Sequence, residues 1–211
     1  MSGHFFAFEG GEGVGKTTQL KVLADQLTRY GYEIVLTHEP GDSPVGERLR
    51  ELLLDPATQV TAQTEALLYA ADRAEHVAHV IAPALARGAV VITDRYIDSS
   101  IAYQGFGRGL DVEEVVRTSR WATGGLLPEL TLVLDLPAEE GLRRARGRSG
   151  RADRLEAEAL EFHERVRAGF LQLAAKEPER YAVIAATGAP DQVADGVRAA
   201  VFALLGLQEV T

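Results

Sequence analysis

Five short apolar runs punctuate the chain, and longer stretches of mixed polarity separate them. Residues 4–9, 33–37, 89–93, 130–136 and 181–186 are nearly continuous in apolar and β-branched side chains, the pattern of strands buried on both faces. Between them, apolar positions recur at helical spacing over residues 15–30, 44–54, 61–86, 138 into an arginine-rich stretch, 155–175 and 191–205. Pro83 is expected to kink the third of these helices, and Gly88 to stop it before the next strand. Strands alternating with helices predict an α/β fold, a three-layer sandwich around a central five-stranded parallel sheet with right-handed crossovers. No repeat or linker divides the sequence, so residues 1–211 are expected to form one domain; residues 147–153 alone have the composition of a mobile loop.

Composition narrows the partners. With 211 residues and 46% apolar side chains the chain can bury a full core, and without cysteine it has neither disulfides nor thiolate metal sites. A net charge of −9 argues against general binding to nucleic-acid backbones. No run of about 18 apolar residues suggests a membrane span. The N-terminus lacks the basic start and apolar length of a signal peptide, so a cytoplasmic location is expected. His38, His76, His79 and His163 show no metal-site spacing and read as structural or surface residues. Against the acidic background, Arg143, Arg144, Arg146, Arg148, Arg151 and Arg154 crowd into a dozen positions. Such density suggests a local anion site, with a solvated basic helix face as the alternative.

The strongest chemical signal lies directly after the first predicted strand. Gly10-Gly11-Glu12-Gly13-Val14-Gly15-Lys16-Thr17 fits Gly-x4-Gly-Lys-Ser/Thr, and a helix-forming run follows. Glycines let the backbone curl so that its N–H groups face phosphate oxygens, and the helix start adds its positive end. Lys16 then serves the β- and γ-phosphates, and the Thr17 hydroxyl Mg²⁺. A second constellation, Asp94-Arg95-Tyr96, follows the third strand, at the sheet end where open parallel sheets bind ligands. Asp94 suits Mg²⁺ or its waters, and Arg95 a second phosphate.

In combination, Gly10 to Thr18, Glu39-Pro40-Gly41, Leu67-Leu68-Tyr69-Ala70-Ala71-Asp72-Arg73, Asp94 through Ser100 and Ala102-Tyr103-Gln104-Gly105 resemble the bacterial thymidylate kinases over nearly the whole chain. The resemblance implies a P-loop nucleoside-monophosphate kinase architecture, transfer of the γ-phosphoryl of ATP to dTMP with Mg²⁺, and a homodimer. It implies that Tyr69 stacks on thymine, Arg73 and Gln104 read the base with Ser100 beside them, and Tyr103 lies under the deoxyribose. Arg50 and Arg95 would bind the dTMP phosphate, with Glu12 and Glu39 near the sugar and acceptor side.

Two subgroups of that family differ in where the catalytic cation sits, in the phosphate loop or in a lid. Positions 11 to 14 hold Gly11, Glu12, Gly13 and Val14, so this chain resembles the lid subgroup. The lid is expected around residues 147–154, with Arg148 or Arg151 closing over the γ-phosphate and Arg143 or Arg144 flanking adenine opposite residues 185–189. Two departures fall near the monophosphate: His38 where the family usually has arginine, and Asp42 where it usually has glycine. Two other readings stand beside this one, a kinase for a different nucleoside monophosphate and a non-catalytic P-loop module. A switch GTPase would carry Asn-Lys-x-Asp, which is absent.

Overall fold

The computed structural model describes residues 3–149 and 153–208. In chain order they form β1 (His4–Glu9), α1 (Lys16–Arg29), β2 (Ile34–His38), α2 (Pro44–Leu54), α3 (Ala62–His76), a π-helical turn (Val77–Ile81), α4 (Ala82–Ala86) and β3 (Val90–Asp94). Then follow α5 (Ile97–Ser100), a second π-helical segment (Ile101–Gly107), α6 (Val112–Ala122), β4 (Leu130–Asp135), α7 (Ala138–Ser149), α8 (Leu160–Lys176), β5 (Tyr181–Ala185) and α9 (Pro190–Leu205).

The strands make one parallel sheet in the order β2-β3-β1-β4-β5. The expected three-layer sandwich is present, and alternation along the strands explains it. Phe6, Phe8, Val90, Ile92, Leu132 and Leu134 pack against Leu20, Leu23 and Leu27 of α1 and Val193, Val197 and Val201 of α9. The intervening Phe5, Ala7 and Val91 pack with Ile81, Ala84, Ile97 and Ile101 on the other face. Val133 joins Tyr103, Phe162, Val166 and Phe170 there. The three inner strands, β1, β3 and β4, are covered on both faces and are therefore apolar over most of their length, while Leu36 of the edge strand β2 and Val183 of the edge strand β5 stay exposed.

From β1 the chain goes first to the β2–β3 side and later to β4 and β5. This reversal opens a crevice at the carboxyl end of β1. The register brings Phe8 opposite Asp94 and Asp94 opposite His38, so the ends of β1, β2 and β3 lie level at that crevice.

Strand boundaries fall within a residue or so of those read from the sequence. The long third helix deviates earlier than expected: the irregularity is the π turn at Val77–Ile81, ahead of Pro83. Pro83 has no N–H to return to the preceding turn, and its ring displaces the carbonyl four residues back, so the strain falls upstream. The helix expected from residue 155 starts only at Leu160. Asp153 Oδ1 accepts from Leu155 N at 2.9 Å and Glu156 N at 2.8 Å, closing a separate turn first. Residues 97–122, to which the hydrophobic pattern gives no element, are mostly helical; Asp111 starts α6 by accepting from Glu113 N and Glu114 N.

Candidate active site

β1 ends at Glu9, and the chain turns through Gly10 to Gly15 before α1 begins. Gly10 has φ 131°, and a Cβ there would lie 2.5 Å from the Leu134 carbonyl oxygen. Gly13 has φ 64°, and its Cβ would lie 2.0 Å from the Gly141 carbonyl oxygen. The loop is thus pressed against β4 and α7 more closely than any side chain permits. No side chain caps α1 at Gly15, which leaves its amides and positive dipole end to an anion. Lys16 Nζ turns back onto the carbonyls of Gly10 (3.3 Å) and Gly11 (3.0 Å). Burial and then the Arg95 charge lower the pKa of this ammonium, while Asp94, Glu12 and Glu9 act in the opposite sense.

Thr17 Oγ1 donates to Asp94 Oδ2 at 3.0 Å. Two oxygens at this spacing match adjacent corners of an octahedron with bonds of about 2.0–2.1 Å, so the pair fits Mg²⁺. Among the described residues no three His, Cys, Asp or Glu side chains cluster as a metal cage. Such an ion would therefore complete its shell with phosphate oxygens and water.

Arg95 joins the two halves of the site. Its backbone has φ 74°, a left-handed conformation costly for a residue with a Cβ. From there NH1 reaches the Gly10 carbonyl and Ser99 Oγ, both at 3.1 Å, and NH2 reaches Glu12 Oε1 at 2.7 Å and Tyr103 OH at 3.0 Å. Tyr103 OH donates to Glu12 Oε1 at 2.6 Å. Burial opposes ionisation of Glu12, but Arg95, Lys16 and this hydroxyl outweigh it and hold its carboxyl down at about 2.

These groups open onto a cavity of about 480 Å³. Of the residues expected from the sequence, Glu12, Gly13, Val14, Gly15, Lys16, Thr17, Glu39, Arg50, Tyr69, Asp94, Arg95, Ser100, Tyr103 and Gln104 line it. Gly10 and Gly11 belong to the loop behind that wall, and Thr18 lies exposed in the first turn of α1. Arg73 is also behind it: Nε bonds Glu39 at 2.7 Å, NH1 bonds Ser100 Oγ at 3.2 Å, and NH2 bonds the Tyr96 carbonyl at 3.1 Å and Ser100 Oγ at 3.2 Å. Its guanidinium therefore stands directly behind Ser100.

The two departures noted above meet at the end of β2 and in the loop after it. Asp42 has φ 62°, where glycine is least strained, and its side chain offsets that strain through local bonds. Asp42 Oδ2 accepts from Thr37 Oγ1 at 2.5 Å and from His38 N at 3.1 Å, with His38 Nδ1 at 3.4 Å. Thr37 Oγ1 also lies 2.5 Å from Nε2 of His76, whose Nδ1 is 2.9 Å from Glu39 Oε1. The buried His76 thus belongs to the site's supporting network, and His38 lines the cavity. Their sequence spacing carries no sign of either role. Arg50 NH1 donates to the Pro40 carbonyl at 2.6 Å, fixing this loop to α2.

Residues 8–197 match the family described as thymidylate kinase. The chain is 57% identical over 192 residues to the thymidylate kinase of Synechococcus sp. strain JA-2-3B'a(2-13), covering 90% of each. It is 50% identical over 205 residues to that of Clavibacter sepedonicus, covering 97% of each. The solved thymidylate kinase structure from Ehrlichia chaffeensis superposes with a TM-score of 0.77 at 33% identity, over 95% of this chain and 99% of the other. The chain belongs to the thymidylate kinase family.

Within this family member, the arginine-rich segment divides into parts with different surroundings. Arg143, largely exposed, forms a two-point pair with Glu140 at 2.8 and 2.7 Å and lies off the cavity. Arg144 donates to the Ala186 carbonyl at 3.2 Å, joining α7 to the loop after β5. Arg154 is tied down: Nε donates to the Leu53 carbonyl at 2.7 Å and NH1 to Glu65 at 2.5 Å. The side chain of Arg148 and the whole of Arg151 lie outside the described residues.

One buried acid beside the site sets a pH dependence. Glu9 Oε1 accepts from Tyr96 N at 2.8 Å and Ser99 N at 3.0 Å, and Ser99 Oγ lies 2.5 Å from Oε2. Burial, then the charge of Asp98, push its carboxyl up from 4.5 to about 8. A folded-state value above the unfolded one means the folded chain holds the extra proton. The stability this gives is complete below about 4.5 and is lost as pH rises through about 8. One proton contributes at most ~1.4 kcal/mol per pH unit. Glu9→Gln, neutral at every pH, is expected to flatten the fall in melting temperature between pH 5.5 and 8. An unchanged fall in the variant would refute the assignment.

Proposed function

We propose that the chain transfers the γ-phosphoryl group of ATP to dTMP, giving dTDP and ADP in nucleotide biosynthesis. The observation carrying this reading is the continuity of one cavity from the phosphate loop to Tyr69 and Gln104, with Arg95 spanning both ends. Lys16 and the loop amides grip the donor, and Thr17 and Asp94 hold Mg²⁺. Mg²⁺ supplies neutralisation of phosphate charge where the two nucleotides meet. Tyr69 offers a stacking surface, worth about 1–3 kcal/mol per base. Ser100, Gln104 and Arg73 read the base edge. Four of the five N–H donors of Arg73 are engaged by protein, and the fifth, on NH1 beside Ser100, suits a base carbonyl. Tyr103 underlies the sugar, and Arg50 and Arg95 take the acceptor phosphate. Glu12, kept ionised, fixes Arg95 and Tyr103 in place, and Glu39 does the same for Arg73.

Phosphoryl transfer depends on positioning and on cations around the migrating group. The phosphate loop carries only Lys16, so we assign the closing cation to Arg148 or Arg151, in a lid around residues 147–154 of a single domain. Lid closure excludes water and limits hydrolysis of ATP. Replacing both arginines by alanine is expected to lower kcat by about a hundredfold or more while the Kd for dTMP stays within a few fold. An unchanged kcat would contradict the lid assignment.

The chain acts in the cytoplasm as a homodimer. Trp121 on α6 is 84% exposed and Leu67 on α3 is 60% exposed, and these two helices pack together. Large apolar side chains left so open suit a self-complementary interface. Trp121→Glu with Leu67→Glu is expected to halve the mass measured by light scattering; an unaltered mass places the interface elsewhere.

Chromatographic separation of products tests the reaction itself. Incubation with ATP, Mg²⁺ and dTMP is expected to yield dTDP and ADP in equal amounts. ADP without dTDP would reduce the chain to an ATPase.

A further inference from the structure

One side of the acceptor pocket is oriented by a carboxylate that does not line it. Glu65, in the first turn of α3, is 1% exposed and receives donors from three residues. Gln104 Nε2 reaches Oε1 at 2.8 Å, and Arg108 Nε reaches the same oxygen at 3.2 Å. Arg108 NH2 at 3.1 Å and Arg154 NH1 at 2.5 Å reach Oε2. Burial works against ionisation of Glu65, but the hydrogen bonds from Arg108, Gln104 and Arg154 outweigh it and lower its pKa. At neutral pH it is an ionised carboxylate, able only to accept.

That restriction acts on Gln104. A side-chain amide has one donating end and one accepting end, and only the NH₂ end can face a carboxylate. A flipped amide would set its oxygen 2.8 Å from the Glu65 oxygen, with no proton between them. The carbonyl Oε1 is therefore held on the opposite edge of the amide, in a residue that lines the cavity.

We propose that Glu65 is a specificity-determining positioning residue: by holding the Gln104 amide, it turns an acceptor oxygen toward the base and so selects a pyrimidine whose ring N3 carries hydrogen. Thymine and uracil satisfy that oxygen. Cytosine presents a bare N3 lone pair to it and leaves two acceptors facing each other, the kind of mismatch that rejects a ligand strongly in a desolvated site. The proposal rests on the acceptor reading above, in which Gln104 faces the base.

Glu65 also anchors Arg108, which holds Glu158 at 2.5 Å, so a purely structural role is the competing explanation. Glu65→Gln tests the proposal, because a neutral amide at position 65 can pair with Gln104 in either orientation. With dTMP, KM is expected to rise about tenfold while kcat stays within a few fold, and the kcat/KM preference for dTMP over dCMP is expected to fall about tenfold. Arg108→Met removes two contacts to Glu65 without touching the amide; its melting temperature is expected to fall while that preference is kept. A folded Glu65→Gln enzyme with the wild-type preference would overturn the proposal, as would Arg108→Met eroding the preference equally. A wild-type measurement stands independently of variant folding. The Gln104 side-chain NH₂ resonances, assigned through Gln104→Met, are expected to keep their shifts when dTMP binds, since their partner is Glu65. A large shift of that NH₂ would overturn the proposal. Failure of the wild type to phosphorylate dTMP would instead overturn the acceptor reading.

Discussion

Lys16→Met is expected to lower kcat by about a thousandfold, with the folded chain as stable as before. Lys16 is buried at the loop, and its ammonium rests on the carbonyls of Gly10 and Gly11, contacts that phosphate oxygens can take over. Its charge is held at that spot among Asp94, Glu12 and Arg95, which is unfavourable for the cation through burial and through Arg95. Removing the ammonium therefore relieves a desolvation cost in the folded chain while taking away the donor to the transferred group. Steady-state kinetics and a thermal melt check both halves. A kcat within tenfold of wild type would show that the lysine is not needed for transfer.

Arg95→Met is expected to damage activity and stability together. The guanidinium ties Gly10, Ser99, Glu12 and Tyr103 into one unit, and its loss leaves Glu12 as an uncompensated charge in a mostly buried position. Breaking such a pair costs about 3 kcal/mol, or roughly 10 °C of melting temperature for a chain this size. The carboxyl of Glu12, held at about 2 by Arg95 and its neighbours, then rises, so the stability that Glu12 gives the wild type above its unfolded value of about 4.5 is absent from the variant. The gap in melting temperature between the two is expected to narrow as acid protonates the stranded carboxylate. Adding Glu12→Gln to Arg95→Met is expected to recover most of the melting temperature and none of the turnover. Recovery of both would mean that Arg95 serves only to neutralise Glu12.

Much of this site was legible because its chemistry is carried by contiguous residues. The glycines, Lys16 and Thr17 follow one another at fixed spacing, and the strand before them is apolar on both faces, so motif and context agree. Asp94 and Arg95 were readable because a parallel sheet brings its strand ends together, and the register sets Asp94 level with Phe8 and His38. Two of the helical segments between residues 97 and 122 were not legible: α5 is four residues long, and the π geometry of Ile101–Gly107 breaks the 3.6-residue period a helix is recognised by. By contrast, α6 is a regular, capped helix of 11 residues whose period the sequence does carry.

The supporting networks were legible least of all. Glu65 meets Gln104, Arg108 and Arg154 at separations of 39, 43 and 89 residues, and no local pattern announces a contact of that kind. His76 likewise acquires its place from Glu39 and Thr37, 37 and 39 positions away. Arg154 read as one more lid cation because density of charge does not reveal which member is neutralised by a buried acid. Asp42 read as a departure with unknown effect, because nothing local in the sequence shows that its carboxylate accepts from Thr37 and His38 and so offsets a left-handed backbone that glycine would adopt without strain.

The measurement bearing most directly on the account is kcat/KM for dTMP, dUMP, dCMP and dGMP in a coupled ADP-release assay with ATP and Mg²⁺. The cavity that joins Lys16 to Tyr69, Ser100 and Gln104 predicts high values for dTMP and dUMP, the two bases with hydrogen on N3, and far lower ones for dCMP and dGMP. A preference for dGMP, or equal rates with all four, would contradict it.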